Sequence, residues 1–488
     1  MTTVELARQQ LLIGGDWTGA HSGDYYQQTF PFDGSPVGNA AAAGRAEARA
    51  AVDAAAAAFG EWSRSAPAMR RAILSKAADL LMERQQQIAG IVTEETGGVF
   101  GWGMFNVQLA AGMFREAAAQ AYGLVGEVIP SDVPGKLAMG VRAPAGVVVG
   151  IAPWNAPVIL SARAVATPLA YANTVVLKAS EICPRTHGAV VESLVDAGMP
   201  PGVINLITNA PEDAADVVDE LIAHPATRRI NFTGSTKVGR IIAEKAGRHL
   251  KRVLLELGGK APMIVLGDAD LDRAAAAASF GAFFHQGQIC MSTERIVVER
   301  SVADALAEKL AQRASALPIG DPREATTAIG PLINAAALER VTGLVKDAVA
   351  KGATALSGGA PQGPCYPPTV LAGVTPEMRV YTEESFGPLL PLIAVDGVDE
   401  AVRVANDSDY GLSAAVFSEN VPAALELAQR IESGICHIND TTVHDEPQMP
   451  FGGVKASGFG RFGGRAALEE FTELRWITVQ EQPREYPI

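Results

Sequence analysis

Cysteine is scarce in this chain. Cys183, Cys290, Cys365 and Cys436 are the only four in 488 residues. They are scattered, without a C-x-x-C pair or the His/Cys spacing of a metal site. Neither a disulfide framework nor a bound metal is expected, and the usage fits the reducing cytoplasm. Basic residues are also in deficit: 40 Lys and Arg against 54 Asp and Glu leave a net charge of −14. A surface of that sign repels nucleic acid and anionic membranes, so neither is expected as a partner. No apolar run reaches membrane-spanning length. Met1-Thr2-Thr3-Val4-Glu5 lacks the basic and then apolar pattern of a secretory leader. What remains is a globular profile, 48% hydrophobic and 19% charged, long enough for two or three domains.

The pattern along the chain is α/β. Residues 11–40 suggest short strands and turns, and an alanine-rich helical stretch from 45 to about 87 is broken at Pro67. A further helix is expected over 106–122, approached by Trp102 and Phe105, whose ordinary place is the core. Residues 124–141, rich in strand formers and broken by Pro130, Pro134 and Gly135, suggest a hairpin-like excursion. Apolar strands then alternate with helices from Gly146 through Thr233, and again from Ala261 to about Asn439. Such alternation implies βαβ units and doubly wound sheets. Residues 447–464 are a glycine-dense loop of the kind found near sites, and 472–480 alternates like a strand in need of an edge.

Several short stretches carry chemistry-bearing side chains, each with an ordinary alternative. Cys290, in Gly287-Gln288-Ile289-Cys290-Met291-Ser292, follows a helical run and a glycine, which would present a thiol on a turn. An isolated cysteine is more commonly a small buried hydrophobe. Asn155, after the strand ending near Ile151, stands where an amide can serve a developing oxyanion, or simply cap the next helix. Lys178 and Glu181 end the next strand, a place for ribose contacts or for a solvated pair. Gly234-Ser235 is a strand-to-helix turn whose amides suit a pyrophosphate, but it is neither G-x-G-x-x-G nor a Walker motif. Glu256 closes an apolar strand, where partial desolvation would raise its pKa as a general base requires; facing solvent is the alternative.

Taken in order, Pro153-Trp154-Asn155, Lys178-Ala179-Ser180-Glu181, Phe232-Thr233-Gly234-Ser235, Leu255-Glu256-Leu257-Gly258-Gly259-Lys260, Gly287-Gln288-Ile289-Cys290, Glu383-Glu384-Ser385-Phe386-Gly387-Pro388 and Pro450-Phe451-Gly452-Gly453 resemble the aldehyde dehydrogenase superfamily. The resemblance runs from about Ile13 to Gln480. His285-Gln286-Gly287-Gln288-Ile289-Cys290-Met291-Ser292-Thr293-Glu294-Arg295 and the ending Phe471 to Val479 look most like its bacterial aromatic-aldehyde branch, of the vanillin, benzaldehyde and salicylaldehyde type.

The resemblance implies a fold of two Rossmann-like domains with a small β arm for oligomerisation. The cofactor-binding domain would take 1–124 and 145–257, the catalytic domain 258–456, a return segment 457–469, and the arm 125–144 and 470–488. Cys290 would be the nucleophile, Asn155 an oxyanion donor and Glu256 the water-activating base, with Lys178 counted in both the catalytic and the cofactor sets. Trp154, Lys178, Glu181, Gly234, Ser235, Glu384 and Phe386 would hold NAD. The Glu181 carboxylate disfavours a 2′-phosphate, though relatives with this K-x-S-E pattern use NADP too. Trp102, Ala156, Arg163, Ile289, Met291 and Phe451 would wall the aldehyde channel. Arg163 would either hydrogen-bond a ring oxygen of the substrate or pair with a surface carboxylate. Ser385 stands where the family more often has an apolar residue, and no mechanistic effect is expected of it. A homodimer or homotetramer is implied. The alternatives are an aliphatic or semialdehyde substrate, and a non-catalytic relative, which the presence of Cys290 and Glu256 disfavours. A CoA-acylating relative is disfavoured by Glu256.

Overall fold

The computed structural model describes residues 6–488. The leader-less reading of Met1 to Glu5 lies outside them. Two sheets organise the chain. In the first, five parallel strands lie in the order Arg252–Glu256, Thr227–Thr233, Val147–Ile151, Thr174–Lys178 and Ile204–Ile207. Antiparallel edges are added by Gly458–Phe459 on one side and by Leu11–Ile13 and Asp16–Thr18 on the other. Helices cover both faces, so strands such as Val147–Ile151 are buried throughout and show in sequence as unbroken apolar runs. The chain winds outward in both directions from Val147–Ile151. Its carboxyl end and that of Thr227–Thr233 therefore form a topological switch point, where ligands bind in open α/β sheets.

The second sheet has the order Thr354–Ala355, Thr369–Ala372, Leu389–Val395, Thr293–Glu299, Ala261–Val265, Ser413–Phe417 and Ile435–Ile438. All pairings are parallel except the first, short edge strand. Glu256 ends its strand in the first sheet, whereas Cys290 lies just before Thr293–Glu299 of the second. The carboxyl edge of one sheet thus meets the amino edge of the other, and the side chains of interest gather in that seam.

A separate three-stranded sheet pairs Thr472–Gln480 with Lys136–Pro144, and that with Glu127–Ile129, all antiparallel. The tail finds its edge on the excursion expected at 124–141.

One helix starts earlier than expected. Phe100–Gln120 takes in Trp102 and Phe105, which were placed in its approach. Gly101 and Gly103 argue against a helix by propensity. Packing overrides it: a Cβ on Gly103 would lie 2.7 Å from Ala89 Cα, so the glycine lets this helix lie close against Gln85–Thr96. Among the described residues, no helix is long and apolar enough to cross a membrane.

Candidate active site

Cys290 stands on an irregular turn between the helix Leu271–Phe283 and the strand Thr293–Glu299. His285, Gln286 and Gly287 all have positive φ, which lifts the chain out of the helix and around to the thiol. Gly259, from the strand end after Glu256, lies directly beneath. A Cβ there would come within 2.5 Å of the Cys290 carbonyl oxygen, so the paired glycines after Leu257 allow the Glu256 and Cys290 segments to touch.

The oxyanion candidate is tied to the same turn. Asn155 Nδ2 donates to the Gln288 carbonyl at 3.0 Å, and the Trp102 indole N–H donates to the Asn155 carbonyl at 3.1 Å. An amide nitrogen has two hydrogens, so one remains for the cavity. Glu256 is fully buried, and neither carboxylate oxygen has a hydrogen-bond partner. Burial pushes its pKa up to about 7, while the Arg163 guanidinium pulls the other way. The Cys290 thiol is raised as well, by burial first and by the nearby Glu256 second. A neutral thiol beside a carboxylate that titrates near neutrality can exchange a proton with it, directly or through water.

Cys290 and Asn155 open into a cavity of about 470 Å³. Trp102, Ala156, Arg163, Ile289, Met291 and Phe451 all line it. Phe105, expected in the core, lines it too, as do Phe280, Phe284 and Asp445, which sequence reasoning did not reach. Trp102 stacks on His285 at 4.6 Å between centroids and meets Phe284 edge-on at 5.0 Å, so the cavity wall and the Cys290 turn are one packed unit. Arg163 takes a form between the two expected. It is ion-paired with Asp445, but Asp445 is itself buried, and the guanidinium lies 4.0 Å above the Phe451 ring.

Lys178 is not at this cavity. It stands with Glu181, Trp154 and Gly234 around a second one, of about 420 Å³, at the switch point of the first sheet. Lys178 is ion-paired with Glu181, whose carboxylate also accepts from Asn209 Nδ2 at 3.2 Å. Ser235 caps the helix Thr236–Arg248, its Oγ accepting from the Val238 N–H at 3.4 Å. Glu384 and Phe386 lie towards Cys290. Glu384 accepts the Gly259 N–H at 2.9 Å, and Phe386 meets Trp154 edge-on at 5.8 Å.

Two cavities thus stand in the fold, one apolar and ending on a thiol, the other at a strand switch with a carboxylate–lysine pair. The sequence profile of the aldehyde dehydrogenase family fits residues 17–477. The chain belongs to the aldehyde dehydrogenase family. Among similar proteins, a vanillin dehydrogenase of a Pseudomonas species (strain HR199) is 57% identical over 98% of this chain and 99% of its own. An NAD-dependent benzaldehyde dehydrogenase of Pseudomonas putida is 43% identical over 94% of this chain and 93% of its own. The crystal structure of a salicylaldehyde dehydrogenase from Pseudomonas putida G7, complexed with salicylaldehyde, superposes with a TM-score of 0.97 at 43% identity, covering 99% of this chain and all (100%) of that one. In this aldehyde dehydrogenase Cys290 lines the first cavity, while the second lies at the switch point of the sheet whose strand Glu256 ends.

Proposed function

We propose that the enzyme oxidises aromatic aldehydes of the hydroxylated benzaldehyde type to carboxylic acids with NAD. The observation that carries this reading is the apolar, aromatic-walled cavity ending on Cys290, with the Arg163–Asp445 pair as its buried polar group. Its volume, about 470 Å³, leaves room for a substituted ring. A semialdehyde would need a free cation for its second carboxylate. Arg163 is already offset by Asp445, and Asp440 adds a further negative charge to the wall.

In the proposed reaction the Cys290 sulfur attacks the aldehyde carbon, with Asn155 Nδ2 and the Cys290 backbone N–H holding the oxyanion. The residues around the second cavity suit NAD: a carboxylate for the adenosine ribose in Glu181, a helix start at Ser235 for the pyrophosphate, and Glu384 and Phe386 for the nicotinamide end. When bound, the nicotinamide would supply the hydride acceptor, so that the thiohemiacetal carbon, on losing its hydride, would be left as a thioester on Cys290. Glu256 then takes a proton from water, which attacks the thioester carbonyl, releases the acid and restores Cys290. The domain boundaries given above remain part of this proposal. So does a cytoplasmic location, supported by four free thiols.

Initial rates over a panel of aldehydes with NAD and NADP test the reading. Benzaldehydes should exceed short aliphatic aldehydes in kcat/KM, and NAD should exceed NADP. Arg163→Ala should hurt hydroxybenzaldehydes more than benzaldehyde, by about 1–3 kcal/mol, the cost of losing a buried hydrogen bond. An equal loss for both would make the Arg163–Asp445 pair structural, and faster turnover of acetaldehyde or succinic semialdehyde would overturn the aromatic assignment.

The separate three-stranded sheet supports a homo-oligomer. Trp476 is 79% exposed, Val128 72% and Leu474 63%. So small a sheet, with apolar side chains in water, is marginal by itself and gains from a second copy. Trp476→Glu with Leu474→Glu should lower the mass measured by light scattering. An unchanged dimer or tetramer would place the interface elsewhere.

A further inference from the structure

Three segments of the seam converge on one carboxylate that has no role in the chemistry above. Glu294 lies just downstream of Cys290, at the start of Thr293–Glu299. Lys260, just downstream of Glu256, places Nζ 2.7 Å from Glu294 Oε2, with side-chain exposures of 0% and 4%. The Ser385 N–H donates to Oε1 at 3.0 Å and to Oε2 at 3.1 Å, and the Ser385 hydroxyl donates to Oε1 at 2.8 Å. The Phe386 N–H donates to Oε1 at 3.0 Å. Ser385, expected to be without effect, therefore has a buried partner for its hydroxyl.

The bonds fall where the backbone needs them. Phe386 has φ +46°, a conformation that a bulky residue holds only when its surroundings impose it. Glu294 grips the amides of Ser385 and Phe386, and so fixes the turn on which Glu384 and Phe386 stand. Glu384 has little slack on the other side, since a Cβ on Gly258 would lie 2.7 Å from its carboxylate. A buried carboxyl group with one ammonium and three neutral donors has its acceptors well satisfied, and it cannot shift without leaving Lys260 unpaired.

We propose that Glu294, held by Lys260 and Ser385, is a positioning residue that sets the Glu384–Phe386 turn against the Cys290 turn for the nicotinamide end of the cofactor. The proposal rests on the reading that Glu384 and Phe386 meet the nicotinamide ribose and ring.

The test separates the thiol chemistry from the cofactor. Hydrolysis of p-nitrophenyl acetate uses Cys290, which displaces p-nitrophenolate, and water, which releases acetate; it needs no NAD. In Glu294→Gln, NAD-dependent kcat should fall by about ten-fold or more, as expected when reacting groups are displaced by a fraction of an ångström. KM for NAD should rise, and the isotope effect with an aldehyde deuterated at C1 should grow. Ester hydrolysis without NAD should stay within about two-fold of the parent enzyme, the sign that orientation towards the cofactor alone has changed. Ser385→Ala, which keeps both backbone donors, should show the same split more weakly, and Ser385→Thr should restore it; these carry the test if Glu294→Gln does not fold. Equal loss of both activities, or no change in either, overturns the proposal. Glu384→Gln is measured alongside. If it leaves KM for NAD and kcat unchanged, the nicotinamide reading fails and the proposal with it. If it impairs them while the Glu294 and Ser385 variants do not, only the proposal fails.

Discussion

Cys290→Ala is expected to abolish aldehyde oxidation while leaving NAD binding nearly intact. Of the four free cysteines, Cys183 and Cys365 are buried and Cys436 is half-buried in the strand Ile435–Ile438. Cys290 alone lines the aromatic cavity. Alanine removes the sulfur proposed to form the covalent intermediates, and no second thiol lines the cavity to replace it. The loss should be roughly 10⁴-fold or more, the scale seen when a covalent nucleophile is deleted. The proposed cofactor cavity at the strand switch has no atom of Cys290 in its lining, so quenching of protein fluorescence by NAD should titrate as in the parent enzyme. The same variant should hydrolyse no p-nitrophenyl acetate. Wild-type turnover in Cys290→Ala would end the covalent mechanism.

The contrast among those cysteines shows where sequence reasoning had purchase. Parallel strands buried on both faces leave a signature that needs no tertiary knowledge, and Val147–Ile151, Thr174–Lys178 and Ala261–Val265 were legible for that reason. The motifs around Asn155, Glu256 and Cys290 were legible only as an ordered set, since each alone has a commoner explanation. What sequence did not show is what depends on contacts between distant segments. Asp445 carries no local mark of a buried partner for Arg163. Glu294 resembles any strand-start glutamate until Ser385 and Lys260 are folded against it. The early start of Phe100–Gln120 was hidden for a related reason. Its glycines weaken the helix by propensity, and only the close approach to Ala89 shows what they are for. Lys178 was legible as a strand-end residue, but which cavity that end faces emerged only from the folded sheet.

Glu256→Gln should stall release of the acid more than formation of the thioester. Glutamine keeps the shape of the buried side chain but cannot take a proton from water. Rapid mixing with aldehyde and NAD should therefore show a burst of NADH, followed by a steady state slower by about 10²–10⁴-fold, the usual contribution of a general base. The pH profile supplies a second check. Burial raises the Glu256 pKa from 4.5 to about 7, and a base acts only when deprotonated. Deacylation in the parent enzyme should climb with pH through about 7 and level off above it, and Glu256→Gln should lose that limb. The sign for stability runs opposite. A carboxyl whose folded-state pKa is raised binds its proton more tightly in the native state than in the unfolded one. Its contribution to stability is full below 4.5 and declines as pH rises towards 7. Glu256→Gln removes that decline, so at pH 8 the variant should melt no lower than the parent, and its inactivity cannot be laid to unfolding. Equal loss of burst and steady state would show that Glu256 acts before the thioester forms, as the acceptor of the Cys290 proton.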